Sequence, residues 1–354
     1  MPTDISRRVM GLSAAKERFG PRADAIARRH DQGDPLGDAI ARWVRREGYA
    51  GLDRALGGER VDGPPELAAF LVPYREIPRG WDRGRAERGA AVQRIWTLHG
   101  GIALRCLALP TSYLSPVGVQ PLLHTGRMEH DLEQRLIRTG VFVNAVTSPG
   151  GMDPGGAGAR ACARVRIGHS MVRLSMRDAG WDPADGEVIP QPDMAATVQL
   201  FSSLWVTGVR RLGGRISQRD ADAVQHRWAR VGQMMGVDLD LLPDRHAEGT
   251  ELLALVMALD GPPDPRAGKL TDVLLRGPGE GLPARLLGGL HSACATELLG
   301  DDGPRLSLRP TRQPWVPVVR AAARFQAAVT LLPGSEGLYD RFWTRIGERT
   351  LPAR

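Results

Sequence analysis

The stretch RVRIGHSMVR, residues 164–173, places one histidine inside a helical run of apolar and arginine side chains. Cys162, Val165, His169, Val172 and Met176 recur at i, i+3, i+7, i+10 and i+14, the spacing of one helix face, with His169 at its centre. Gly168 beside it has no Cβ, so a bulky group can approach the backbone there. Arg166, Arg173 and Arg177 fall on other faces of the helical wheel. The placement allows three roles for His169: a core histidine bonded to a nearby carbonyl, a metal ligand, or a haem ligand.

Thirty residues upstream, RLIRTG (135–140) sets Arg135, Arg138 and Thr139 at i, i+3 and i+4. Met128, Leu132, Arg135 and Thr139 share helical spacing, which puts Arg135 on an apolar face. An unpaired buried guanidinium is too costly, so Arg135 is expected to meet an anion. A carboxylate from another helix and a haem propionate both qualify. SPGGMDPGGAGAR (148–160) joins the two helical runs. No strand precedes it and no GKS follows it, so it is not read as a phosphate-binding loop. A histidine on one helix, with arginine and threonine on the next, matches the way helical proteins hold a cofactor between side chains.

Outward from this pair, helical periodicity dominates and strand alternation is almost absent. The spacing predicts helices over about 120–146 and 158–178, and a buried helix pair over 91–109 stopped by Pro110. One long helix is expected from Pro192 to a cap at Gly213, and Ser217 with Asp220 reads as a capping-box variant opening the next. Further helices follow at about 249–259, in ARLLGGLHSACATELLG and in PWVPVVRAAARFQAAVTLLPG. The fold class expected is all-α, with an N-terminal helical extension over 1–64, a core over 65–245 and C-terminal helices over 246–354 packed on it.

The other histidines compete weakly with His169. His226 lies about 200° round the wheel from Val224 and is expected to point away from the apolar stripe. His291 borders Leu287, Leu290, Cys294 and Leu298 and is the best rival. His99, His124 and His130 lack HExxH-type partners. Cys162 is read as core.

A net charge of +7 and a pI near 10.0 suggest nucleic acid at first sight. Lysine occurs only at Lys16 and Lys269, however, and the arginines are dispersed among 40 acidic residues. With aromatics at 5 %, neither a basic stripe nor a base-stacking platform is present, and no nucleic-acid partner is expected. Cys106, Cys162 and Cys294 have neither zinc nor disulfide spacing. Arg7 and Arg8 are followed by Lys16, Glu17 and Arg18 rather than an apolar stretch, and no 18-residue apolar run occurs. The expectation is a cytoplasmic protein with no membrane span.

With WDRGRAERGAAV, RLIRT, RVRIGHSMVRLSMRDAGWD, GEVIPQPDMAATVQLFSSLWVTGVRRLG and HRWARVGQMMGVDLDLLP in this order, the chain resembles the family of latex-clearing and MpaB-type oxygenases over roughly 65–245. The resemblance implies a globin-like all-α core holding haem b, with His169 as the proximal iron ligand. Arg135, Arg138 and Thr139 fall on the distal positions. Arg138 and Thr139 would donate hydrogen bonds to dioxygen, and Arg135 would pair with a propionate or position Thr139. Arg164 and Gly168 complete the expected cofactor contacts. Family chemistry is oxidative cleavage of an isoprenoid double bond.

Two departures qualify this. The family's distal lysine is Arg138 here, and a guanidinium has no lone pair to give iron. The stretch matching the family's proposed glutamate base, SPVGVQPLL, offers Val119 and Gln120 and no carboxylate. The expectation is therefore a haem b oxygenase using dioxygen on a small hydrophobic substrate. A haem-dependent dehydrogenase, a peroxide-using oxidase and a non-catalytic haem or gas sensor are the alternatives, with a cofactor-free helical interaction protein behind them.

Overall fold

The computed structural model describes residues 5–124, 128–276, 281–308 and 315–329, and among these every regular element is helical. The side chains of Met128 and His130 and the basic C-terminal tail lie outside the described residues. The N-terminal helices are α1 (Leu12–Phe19), α2 (Pro21–Ala27), α3 (Pro35–Glu47) and α4 (Ala50–Leu56). Asp34 caps α3 by accepting from Gly37 N at 2.9 Å, and Pro35 occupies the first turn, where its missing N–H costs nothing. Next come α5 (Leu67–Arg75), α6 (Arg83–Ile95) and α7 (Thr97–Ala103).

The chain does not stop at Pro110. A π-helical turn, Leu104–Ala108, follows α7, and a last helical turn, α8 (Leu109–Ser112), carries Pro110 near its start. There the ring has no regular i−4 partner to clash with. The run expected over 120–146 is two helices, α9 (Gln120–His124) and α10 (Met128–Thr147). Then comes α11 (Ala157–Asp178), closed by Gly180 at φ +89° with Trp181 N–H reaching back to Met176 C=O.

The long helix expected from Pro192 is also two, α12 (Gln191–Phe201) and α13 (Ser203–Arg211). Ser202, at φ −114° and ψ −87°, breaks it and bonds its hydroxyl back to Val198 O. Gly213 follows α13 at φ +98°, as a terminating glycine should. Ser217 Oγ then accepts from Asp220 N at 3.1 Å and opens α14 (Gln218–Met234), followed by α15 (His246–Leu259). The C-terminal part holds α16 (Ala267–Leu275), α17 (Leu282–Leu299) and α18 (Trp315–Val329).

The main core joins α3, α5 and α11 to α12–α15, with Ile40, Phe70, Ile167, Val224, Trp228 and Leu255 buried in it. Its tightest seam is α6 on α14, where a Cβ on Gly89 would overlap the Ala223 carbonyl. Trp228 donates to Gln93 Oε1 at 2.7 Å and stacks on Phe201. A smaller core gathers Leu107, Tyr113, Leu114, Leu132, Leu270, Leu274 and Leu298. α10 borders both cores through Val146 and Leu132.

Candidate functional site

The hairpin of α10 and α11 is drawn tight at its loop. A Cβ on Gly158 would lie 2.8 Å from Ala145 O and 2.9 Å from Val146 Cα, closer than real side chains come. Gly150 and Gly155 turn at φ +66° and +72°. Glycine is required where the helices meet. Farther along, at Gly140 and Gly168, a Cβ would meet nothing within 4 Å. Space beside the backbone is therefore open at both positions.

His169 lies on a half-buried strip of α11 with Val165 and Val172. Its Nδ1 is buried and has no hydrogen-bond partner among the described residues. Burial, and next the charge of Arg173, push its pKa down to about 4, against a smaller pull from Asp34. The imidazole is thus neutral, with a lone pair that no protein group uses. The core-histidine reading required a carbonyl partner for this nitrogen, and the structure gives it none.

The arginines of this helix lie on faces other than that of His169, and two of them point inward. Arg166 and Arg173 are among its most deeply buried side chains and face α3. Arg166 binds Asp34 through two bonds of 2.6 and 2.7 Å, and Arg173 binds Asp38 at 2.5 Å and the Val188 carbonyl at 2.9 Å. Arg177, half-exposed, shares Asp38 at 2.8 Å. Charge on the inward face is tolerated because each guanidinium meets an anion. Sequence reasoning missed Asp34 and Asp38. Their one-turn spacing in DPLGD, set against arginines two turns apart, was the available signal. Arg164 turns the other way, onto Asp53 at 2.8 Å and over the Tyr49 ring.

On α10, Arg135 and Thr139 are half-buried and Arg138 is exposed. Arg135 lies close enough to Tyr113 to lower its pKa against the larger upward push of burial. Arg138 has no hydrogen bond or ion pair among the described residues. Ile137 and Val141, one turn apart, remain 49 % and 39 % exposed, an apolar edge on the helix that carries Arg138 and Thr139. In SPVGVQPLL, Val119 is fully buried and Gln120 donates to Pro116 O and Asp264 Oδ2.

The described rivals named from the sequence each bond through one ring nitrogen, although His99 Nδ1, His226 Nε2 and His246 Nδ1 are, like His169 Nδ1, buried without a partner among the described residues. His226 is buried rather than turned outward: it stacks on Trp81 at 4.2 Å and bonds Asp244 at 2.5 Å. Almost the whole circumference of α14 is covered, so no face was left to point away. His291 lies 3.3 Å from the Leu275 carbonyl, His99 3.3 Å from Val319 O, and His124 3.2 Å from Ser175 Oγ. Cys162 is fully buried and its thiol is pushed up to about 12 by burial. Among the described residues, no three His, Cys, Asp or Glu side chains are grouped to hold a metal ion. No described helix is long and apolar enough to cross a membrane.

Residues 92–330 match the family model of the catalytic domain of ER-bound oxygenase mpaB/B′ and rubber oxygenase. This match starts later than the 65–245 resemblance and reaches farther into the C-terminal helices. A rubber oxygenase of Streptomyces sp. (strain K30) is 25 % identical over 269 residues, 71 % of this chain and 59 % of that protein. The chain thus matches less than two thirds of that relative's length. A structure of latex clearing protein in the closed state superposes with a TM-score of 0.65 at 19 % identity, covering 89 % of this chain and 90 % of that one. At that identity the likeness speaks for the helical fold.

Proposed function

The chain belongs to the mpaB/rubber oxygenase catalytic-domain family, and from that premise we propose that it is a haem b-dependent oxygenase acting with dioxygen on a small hydrophobic substrate. One observation carries the cofactor: a neutral His169 with an orphaned ring nitrogen, beside open space at Gly168. A ligand to iron must offer a lone pair; a neutral imidazole has one, and a proton on the enclosed Nδ1 would leave it on Nε2. The haem supplies redox chemistry that side chains cannot.

The chain's own residues set the surroundings. His169 would hold the iron from the proximal side, with its helix fixed by the buried pairs to Asp34 and Asp38. Arg138, exposed and unpaired among the described residues, and Thr139 would supply donors for an anionic oxygen. Arg135 positions that turn or meets a propionate. Arg164 would meet a propionate with the nitrogens that Asp53 leaves free. The edge of Ile137 and Val141 suits an apolar substrate. With Val119 buried and Gln120 tethered, the SPVGVQPLL stretch brings no base, which favours oxygenation of a small molecule over the polymer-cleaving route.

The test is the absorption spectrum of the purified protein, oxidised and reduced, beside His169→Ala. A Soret band at one haem per chain, lost in the folded variant, is expected. A full Soret band in His169→Ala would move the ligand to His291. Substrate-dependent oxygen consumption then separates an oxygenase from a dehydrogenase or a sensor.

A further inference from the structure

A cleft of ≈ 790 Å³, with His169 not among its lining, lies where α6, α14 and α15 all begin. Four arginines line it: Arg85, Arg88, Arg219 and Arg245. So do three aspartates, each of which already accepts through at least one oxygen. Asp82 Oδ1 caps α6 by accepting from Arg85 N, and Asp222 Oδ1 takes His246 N at 2.9 Å and Gln218 Nε2 at 3.0 Å. Asp244 is held on both oxygens, at 2.5 Å each, by His226 and Arg85.

The donors are not matched in the same way. Arg85 is committed to Asp244 and to the carbonyls of Asp222 and Asp244. Arg88 uses only its Nε, on Asp220 at 2.7 Å, which leaves both terminal amino groups. Arg219 and Arg245 make no ion pair or hydrogen bond among the described residues. Two whole guanidinium groups and the fork of a third therefore face one cleft, against the single remaining oxygens of Asp82 and Asp222. Three helix starts add partial positive charge to the same end. One carboxylate accepts about four hydrogen bonds, fewer than this set can give. Phosphate oxygens, bound in pairs by planar guanidinium forks, match it.

We propose that this cleft is a binding site for a phosphate-bearing ligand, held by Arg219, Arg245 and the free fork of Arg88. The site is independent of the haem reading and stands or falls without it. Inorganic pyrophosphate is the probe, titrated calorimetrically into the intact protein at low salt. Binding should weaken at least tenfold in Arg219→Ala/Arg245→Ala, whose exposed, unpartnered side chains leave the melting temperature unchanged. It should persist in Arg60→Ala, an exposed arginine outside the cleft, and fall as salt rises. Retention on phosphatidic-acid vesicles but not phosphatidylcholine vesicles, lost in the double variant, would assign the phosphate to a lipid headgroup. Pyrophosphate binding without vesicle retention assigns it to a soluble metabolite. Absence of both, or equal binding by wild type and the double variant, overturns the proposal.

Discussion

Asp34 accepts two hydrogen bonds from the Arg166 guanidinium, at 2.6 and 2.7 Å, while its Oδ1 also caps α3, and both side chains are almost completely buried. The pair ties α3 to the helix of His169 over a sequence separation of 132 residues. Asp34→Ala leaves a buried guanidinium without its anion, and such losses cost about 3–5 kcal/mol. Urea unfolding should show that loss. Asp34→Leu combined with Arg166→Met should recover a good part of it, since the buried charge is removed along with its partner. A double variant as unstable as Asp34→Ala would mean the pair is not what locks the helices.

Gly168→Ala separates the helix from its cofactor. Position 168 is mid-helix and its Cβ would meet nothing within 4 Å. The apo protein should therefore be unchanged or gain up to about 1 kcal/mol from helix propensity. Haem content should nonetheless fall, because the methyl occupies the space where a macrocycle approaches the backbone. Wild-type haem loading in this variant would place the cofactor elsewhere.

Arg138 is exposed and unpaired among the described residues, so Arg138→Leu should leave stability within about 0.5 kcal/mol of wild type. Turnover should drop roughly 10²–10³-fold if its donor faces developing negative charge. Arg138→Lys introduces an amine that can lose its proton, and a ferric spectrum shifted toward low spin is expected. Unchanged turnover and oxygen affinity in Arg138→Leu would remove it from the reactive side while leaving His169 untouched.

Acid should weaken the fold through its buried histidines. Burial, opposed by Asp193 and helped by Arg8, holds His30 down to about 4, and burial with Arg105 does the same for His291. The folded state refuses protons that the unfolded chain accepts below about 6.5, so stability present above that pH is lost as pH falls toward 4. For His30 the ceiling is about 3 kcal/mol. Asp260 works the other way: burial and Asp193 raise it to about 7, a contribution lost as pH rises from 3.8 to 7. Urea midpoints should fall from pH 7 to pH 4.5, less steeply in His30→Gln and more steeply in Asp260→Asn. A midpoint that rises on acidification would contradict the histidine assignment.

The helical class, the limits of α11 and the central place of His169 on it were legible because 3.6-residue periodicity is local information. The burial of Arg166 and Arg173 was not. A helical wheel sorts residues by hydropathy and sends arginine outward, whereas Asp34 and Asp38, more than 130 positions away, bring it inward. Breaks were hidden for a related reason. Ser202 interrupts an apolar run by bonding to its own backbone, and the π-helical turn before Pro110 makes room for a ring that otherwise ends a helix. His226 lies about 200° from the Val224 stripe, and that stripe does not reveal that Trp81 covers the opposite side.

The hairpin loop sets a pivot. With Gly158 pressed on Ala145 and Val146, the two helices cannot slide along each other, so any adjustment between them must be angular. A rotation of a few degrees at such a fulcrum moves atoms little beside the loop and several times more at Gly168, two to three turns away. Substitutions in SPGGMDPGGAGAR should therefore act at a distance, altering the aperture beside His169 while touching none of the residues that line it. How closely a bulky group can approach His169 is then set at this joint as much as by the residues beside it.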